Sequence, residues 1–315
     1  MWWSIGARYT CTCALLFVSP LKTKQEQTST TRCSADRSNE LPKDRPLAQV
    51  TDKGHHHSSH SRRNFVKNAA ASLVVYQAII SPAPANAISS IEAETSYNKY
   101  AANYDALDGG SVADSLGIEE ARTKMLQFAK GRVLEIGTGT GLNLGKYKFA
   151  SSPAAMDGVT SLTLLDISEG MMSEAKAKLI LLNVPEYVQV EFVKADATAD
   201  LVNLFGTDGY FDTVVDTFSL CVMGNNGAKR CLEQMTNVVK KDSGRLLLIE
   251  NTRSSSPALG FYQDLTSDTA AKMGGKGCVS NQNVGGFIRN IDGLEIVSED
   301  LFAAGLFRSF VCKRI

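Results

Sequence analysis

"VLEIGTGTGLN", residues 133–143, sets glycines at 137, 139 and 141 directly after a run that reads as a buried strand. Glycine has no Cβ, so it tolerates positive φ and lets a backbone or a ligand come close. Three glycines in five positions imply that something lies against this turn. A glycine-rich turn between a strand and a helix brings backbone N–H groups and a helix N-terminus to the carboxyl end of a sheet. The spacing narrows what it holds. A dinucleotide site reads GxGxxG, whereas Leu142 stands here at the place of the third glycine. The GxxxxGK[ST] pattern that grips phosphates is absent from the chain.

Acids at strand ends sharpen this reading. Glu135, two residues before Gly137, would repel a pyrophosphate and suits a positively charged ligand. Asp166 ends the next apolar run, where a carboxylate accepts hydrogen bonds from ribose hydroxyls. Asp196, in "VKADA", ends the third, where it can receive an adenine amino group. Three acids at successive strand ends suit a cationic adenosine compound without phosphates.

Working outward, five β-type segments are expected: 132–137, 161–168, 188–196, 211–220 and 244–251. Helix-like stretches lie between them, Glu169 to Leu182 and Asn226 to Lys240. In the first, Met171, Ala175, Leu179 and Leu182 recur at helical spacing. A helix start is expected at Leu142, and residues 111–130 read as a helix interrupted near Gly117. Near-continuous apolar strands suit a sheet covered on both faces, and strand-helix alternation predicts a parallel, doubly wound α/β sheet. The chain closes on "LEIVSEDLF" (294–302) and "LFRSFVCKR" (306–314), joined by "AAG", which fits an antiparallel hairpin at the sheet edge.

These residues resemble the class I S-adenosylmethionine-dependent methyltransferases over residues 95–315. "VLEIGTGTG" is similar to their first motif, "LLDIS" to their second and "VKADA" to their third. The resemblance implies a Rossmann-like, doubly wound seven-stranded α/β sheet with a terminal antiparallel β-hairpin, and S-adenosyl-L-methionine as cofactor. Its binding residues would be Glu135, Gly137, Thr138, Gly139 and Gly141 of the turn; Asp166, Ile167 and Met171; and Ala195, Asp196 and Ala197. Within the class the chain looks most like the type 11 branch, near the ubiquinone/menaquinone methyltransferases and the methyltransferase-like alkyl-thiol enzymes. "YNKYAANYD" resembles the segment of that branch whose aromatics cover the cofactor, which implies contacts from Tyr97 and Tyr104; ordinary packing is the alternative for both. "FDTVVDTFSLCVM" resembles the fourth motif, so Asp216 and Thr217 would face the methyl group. The turn before strand five reads "VKKDSGR", a departure from the family's LxPGG. Residues 252–290 are expected to cover the substrate pocket.

Composition removes other functions. The chain has 315 residues and no net charge, but the charges are unevenly placed. Up to Ala87 there are 11 Lys and Arg against 5 Asp and Glu; from Ile88 onward, 22 against 28. An acidic body argues against nucleic-acid binding, which needs clustered cations. All four histidines (His55, His56, His57, His60) lie in the basic part, so the body has neither a histidine base nor histidine metal ligands. Cys221, Cys231, Cys278 and Cys312 show no CxxC spacing and read as small buried hydrophobes, with no metal site and no disulfide framework.

Residues 1–60 read as a disordered transit segment rich in Ser, Thr, Lys and Arg. Residues 61–87 resemble a twin-arginine signal: Arg62 and Arg63, a weakly apolar run, and a small-x-small pattern at Ala85–Asn86–Ala87. Together they resemble the two-part address of a plastid protein sent to the thylakoid lumen, with residues 88–315 as the methyltransferase domain. A mitochondrial address and a membrane anchor retained through residues 69–84 are the alternatives.

With no histidine, acceptors that give up a proton readily are favoured: a quinone-type carbon or oxygen, or a thiol. The expected activity is methyl transfer to a small lipophilic acceptor, with peripheral membrane contact. The competing reading is a methyltransferase-fold protein that binds the cofactor without turnover and serves assembly in an organelle.

Overall fold

The computed structural model describes residues 88–108, 111–273 and 277–315. The targeting segments expected in residues 1–60 and 61–87 lie outside them.

The described chain opens with helix α1 (Ser90–Tyr100). Ser89 caps it: its hydroxyl accepts the Glu92 N–H, and Glu92 accepts the Ser89 N–H in return. This reciprocal pairing satisfies donors that helix starts leave orphaned. Two short helices follow, α2 (Tyr104–Asp108) and α3 (Ser111–Ser115). Gly117, at φ 74°, makes the expected interruption and starts α4 (Ile118–Leu126).

The alternating part then runs β1 (Gly131–Ile136), β2 (Val159–Asp166), α5 (Glu169–Leu179), β3 (Gln189–Lys194), α6 (Leu201–Phe205), β4 (Thr213–Thr217), α7 (Leu220–Val238) and β5 (Arg245–Asn251). After α8 (Pro257–Met273) and α9 (Val284–Arg289), the chain ends in β6 (Leu294–Phe302) and β7 (Phe307–Arg314). The seven strands form one sheet in the order β3-β2-β1-β4-β5-β7-β6. The first five are parallel. β7 inserts antiparallel between β5 and its hairpin partner β6.

Both faces are covered, which explains why the central strands lack polar alternation. On one face Leu134, Ile136, Val214, Leu246 and Leu248 pack with α6, α7 and α9, through residues such as Leu201, Leu232, Met235 and Ile288. On the other, Val133, Leu162, Leu164, Val215 and Leu247 pack with Met125 and Leu126 of α4 and Ala175 of α5.

Two local expectations need correction. No α-helix starts at Leu142; only a 3-10 turn, Leu144–Lys146, follows the glycines. The physical reason is in the backbone: Gly141 takes φ 79° just before the turn and Tyr147 takes an extended conformation (φ −68°, ψ 133°) just after it, so the helix has nowhere to run. The fourth strand stops at Thr217 rather than Leu220, because Phe218 takes φ 65°, a left-handed conformation that ends a strand. The last short helix starts at Val284, capped by Asn283.

Candidate functional site

Strand order reverses between β1 and β4, and the crevice beyond their carboxyl ends is where ligands lodge in open α/β sheets. A cavity of about 580 Å³ lies there. Its wall takes residues from α1, the glycine turn, the ends of β2, β3 and β4, and the first half of α7.

Each glycine of the turn meets a different neighbour. All three have positive φ: 57° at Gly137, 57° at Gly139 and 79° at Gly141. A Cβ on Gly137 would lie 2.5 Å from the Ser219 Cβ, and one on Gly141 would lie 2.5 Å from Leu144 Cδ1. Those two glycines admit protein. Around Gly139 the nearest atom is 3.9 Å away, and Gly139 lines the cavity. It is the position left open for a ligand.

Asp166 fixes the turn. Its carboxylate accepts from Gly139 N–H at 2.8 Å and from Ser168 N–H at 2.8 Å. Burial raises its pKa, against the pull of these N–H groups. A carboxylate has about four lone-pair sites, so Asp166 keeps acceptor capacity on the cavity side. Ile167 and Met171 continue this wall, beside Leu165. Ser168 caps α5 by accepting the Met171 N–H.

α1 straps the opening. Asn98 Oδ1 accepts from Ser168 Oγ and from Gly170 N–H, each at 2.8 Å. A Cβ on Gly170 would fit only tightly, 3.1 Å from Asn98. At its other end Ser90 Oγ donates to Asp196 Oδ2 at 2.6 Å. Burial works to raise the Asp196 pKa, but hydrogen bonds from Ser90 and Thr198 outweigh it and hold the group lowered. Tyr97 and Tyr104 line the cavity from this side, with ring centroids 6.3 Å apart.

The structure therefore brings together Tyr97, Tyr104, Gly137, Gly139, Asp166, Ile167, Met171, Ala195, Asp196, Ala197 and Thr217 on one cavity wall. It leaves four expected residues off it, and each has a reason. Gly141 serves the close packing of Leu144, and Thr138 is 4% exposed inside the turn. Glu135 points to the opposite face, with the α4 and α5 side chains, because it alternates with Leu134 and Ile136. It accepts from Tyr147 OH at 2.7 Å and Asn143 Nδ2 at 3.0 Å, so it holds the turn's far side rather than facing a ligand. Burial pushes its pKa up to about 7. Asp216 lies under the wall, fully buried.

Asp216 anchors a group that sequence reading missed. Parallel register sets Asp216 beside Leu248, so Glu250 projects from the adjacent strand toward the same face. Both carboxyls are fully buried. One oxygen of each, Asp216 Oδ2 and Glu250 Oε2, lacks a partner when both are ionised; a single proton between them satisfies both. Burial raises both pKa values, that of Asp216 to about 6 and that of Glu250 well above its ordinary value. Ser219 Oγ donates to Asp216 Oδ1 and also lines the cavity. The acid closing "LLLIE" was the available signal. The hydroxyl had none, since its place depends on the left-handed Phe218 before it.

Residues 252–290 do not form the described wall. They reach it indirectly, where Gly277 packs against Ile88 of the wall and Val279 N–H donates to Cys221 O at 2.9 Å. Val222, Met223, Asn226 and Arg230 of α7 take that side instead.

Residues 133–242, about a third of the chain, match the methyltransferase-domain family model. A curated phosphatidylethanolamine N-methyltransferase of Cereibacter sphaeroides is 32% identical over 127 residues, 40% of this chain and 54% of the relative. The chain thus spans about half the length of the curated relative it matches. Among solved structures, N-methyltransferase NodS of Bradyrhizobium japonicum, bound to S-adenosyl-L-homocysteine, is 16% identical, with TM-score 0.49 over 71% of this chain and 98% of its own. Magnesium protoporphyrin IX methyltransferase of Synechocystis is 17% identical, with TM-score 0.46 over 71% and 95%.

Proposed function

We propose, from the premise that residues 133–242 form a methyltransferase domain, that the protein methylates a small lipophilic acceptor using S-adenosyl-L-methionine. The observation that carries this is the cavity at the switch point, whose wall brings the open Gly139 together with the carboxylates of Asp166 and Asp196. Those residues fit a phosphate-free adenosine compound. Asp166 would accept from the ribose, Asp196 would receive the adenine amino group, and Ile167 and Met171 would border the ring. The bound sulfonium supplies an activated methyl group.

The chain's own residues do the rest. Tyr97, Tyr104 and α1 cover the opening and exclude water, which strengthens electrostatics inside. Phe218, Val222, Met223 and Ile88 give the α7 side of the cavity an apolar lining, which supports a lipophilic acceptor. The curated relative is itself named for a lipid substrate. Ser219 Oγ links an acceptor's X–H group to Asp216. The proton passes from acceptor to Ser219 while the Ser219 proton moves to Asp216, whose pKa near 6 makes it a competent sink close to neutrality.

The test is methyl transfer from labelled S-adenosylmethionine into a panel of quinols, alkyl thiols and phosphatidylethanolamine vesicles. Labelled product that falls at least tenfold in Ser219→Ala supports the reading. Binding without transfer to any acceptor would leave a cofactor-binding assembly protein. For the cell, we propose a plastid, thylakoid-lumen destination, carried by residues 1–87. A reporter fused after those residues that stays outside plastids would contradict it.

A further inference from the structure

Cys221 and Cys278 lie 57 positions apart in sequence, yet their Sγ atoms are 2.9 Å apart. Both are thiols, and the gap is within about 1 Å of a disulfide bond length. Their surroundings hold the two sulfurs face to face. Cys221 Sγ donates to Phe218 O at 3.4 Å, and Asn251 Nδ2 donates to Cys278 Sγ at 3.0 Å. The backbones are already joined by Val279 N–H to Cys221 O at 2.9 Å. Cys221 is buried, whereas Cys278 is half-buried. The other two described cysteines, Cys231 and Cys312, are fully buried.

We propose that Cys221 and Cys278 are a redox modification site, closing a reversible disulfide that fixes one wall of the cavity. The oxidant is a disulfide, either a small one such as oxidised glutathione or that of a thiol–disulfide exchange protein. The Cys278 thiolate attacks one sulfur of the oxidant and expels the other as a thiolate, giving a mixed disulfide. The Cys221 thiolate then attacks Cys278 Sγ and expels the second thiolate. Two protein thiols and one disulfide become one protein disulfide and two thiols, so protons and electrons balance.

The position makes the bond consequential. Cys221 lies in the first turn of α7, whose Val222, Met223, Asn226 and Arg230 line the cavity. Cys278 follows Gly277, where a Cβ would run into the Ile88 side chain. Ile88 lines the same cavity. Oxidation therefore ties α7 covalently to the segment that backs Ile88. The closed loop also restricts the unfolded chain.

The experiment treats the full chain with oxidised glutathione under native conditions, alkylates it after unfolding, and maps peptides by mass spectrometry. Thermal midpoint and S-adenosylhomocysteine affinity are read on the reduced and oxidised forms, and on Cys278→Ser. The expected result is a Cys221–Cys278 linked peptide, a midpoint raised by several degrees, and affinity changed about fivefold. Dithiothreitol should reverse all three, and Cys278→Ser should show none. Glutathione on Cys278 alone with Cys221 still alkylated, or a linked protein with unchanged midpoint and affinity, overturns the proposal. If neither form binds S-adenosylhomocysteine, the methyltransferase reading fails while the linked peptide and the midpoint still decide this one.

Discussion

Single residues of the turn differ in what their missing Cβ admits. Gly139 has open space but positive φ, so Gly139→Ala should cost about 1–2 kcal/mol from backbone strain alone. Gly137→Ala adds a collision with Ser219 and should cost roughly twice that; urea unfolding of the two variants measures the difference. Glu135 makes a pH prediction. Its folded pKa is raised from 4.5 to about 7 by burial, so the folded state binds its proton more tightly than the unfolded state. The stability it contributes is fully present below pH 4.5 and lost as pH rises to about 7, on the order of 3 kcal/mol at most. Glu135→Gln should flatten that fall across the window, measured as unfolding free energy against pH. Asp216 and Glu250 carry shifts of the same sign, so a residual decline should remain. Glu250→Gln keeps a donor toward Asp216, whereas Glu250→Ala leaves a buried acceptor unpaired and should cost about 1–3 kcal/mol.

Among the elements, α1 is the one whose role depends most on tertiary contacts. It makes no large apolar contribution to the core, only Ala93 being buried in it, and is held through Ser90 to Asp196 and Asn98 to the start of α5. Asn98→Ala should therefore loosen α1 by about 1–2 kcal/mol. Hydrogen exchange should then speed up in residues 90–100 while β1 and β4 stay protected. The central strands and the closing hairpin were legible in the sequence because burial on both faces writes an unbroken apolar run, and the β6–β7 link is short. The break at Gly117 was legible for the same local reason. The helix expected at Leu142 was not there, since Gly141 takes φ 79° and the chain turns extended at Tyr147. Apolar periodicity records neither. The Asp216–Glu250 pair and the Cys221–Cys278 approach were hidden likewise, each depending on strand register or on a return of the chain. Asp166 and Asp196 could be placed because strand ends converge on the switch point. Glu135 could not, because its side of the sheet is set by where the strand's alternation begins.

At the scale of the whole molecule, the cavity at the switch point, an acidic body and a cover helix converge on a ligand that is cationic and adenosine-like. That is the central claim, and titration calorimetry tests it directly. S-adenosylhomocysteine and S-adenosylmethionine are titrated into the full chain, into Asp166→Asn, and into Asp300→Ala as an exposed control on the edge strand. The expected result is a micromolar dissociation constant for the wild type and the control, and at least tenfold weaker binding for Asp166→Asn. An unaltered far-ultraviolet circular dichroism spectrum would show that the variant is folded. Absence of binding to the wild type, or equal binding by Asp166→Asn, would contradict the claim.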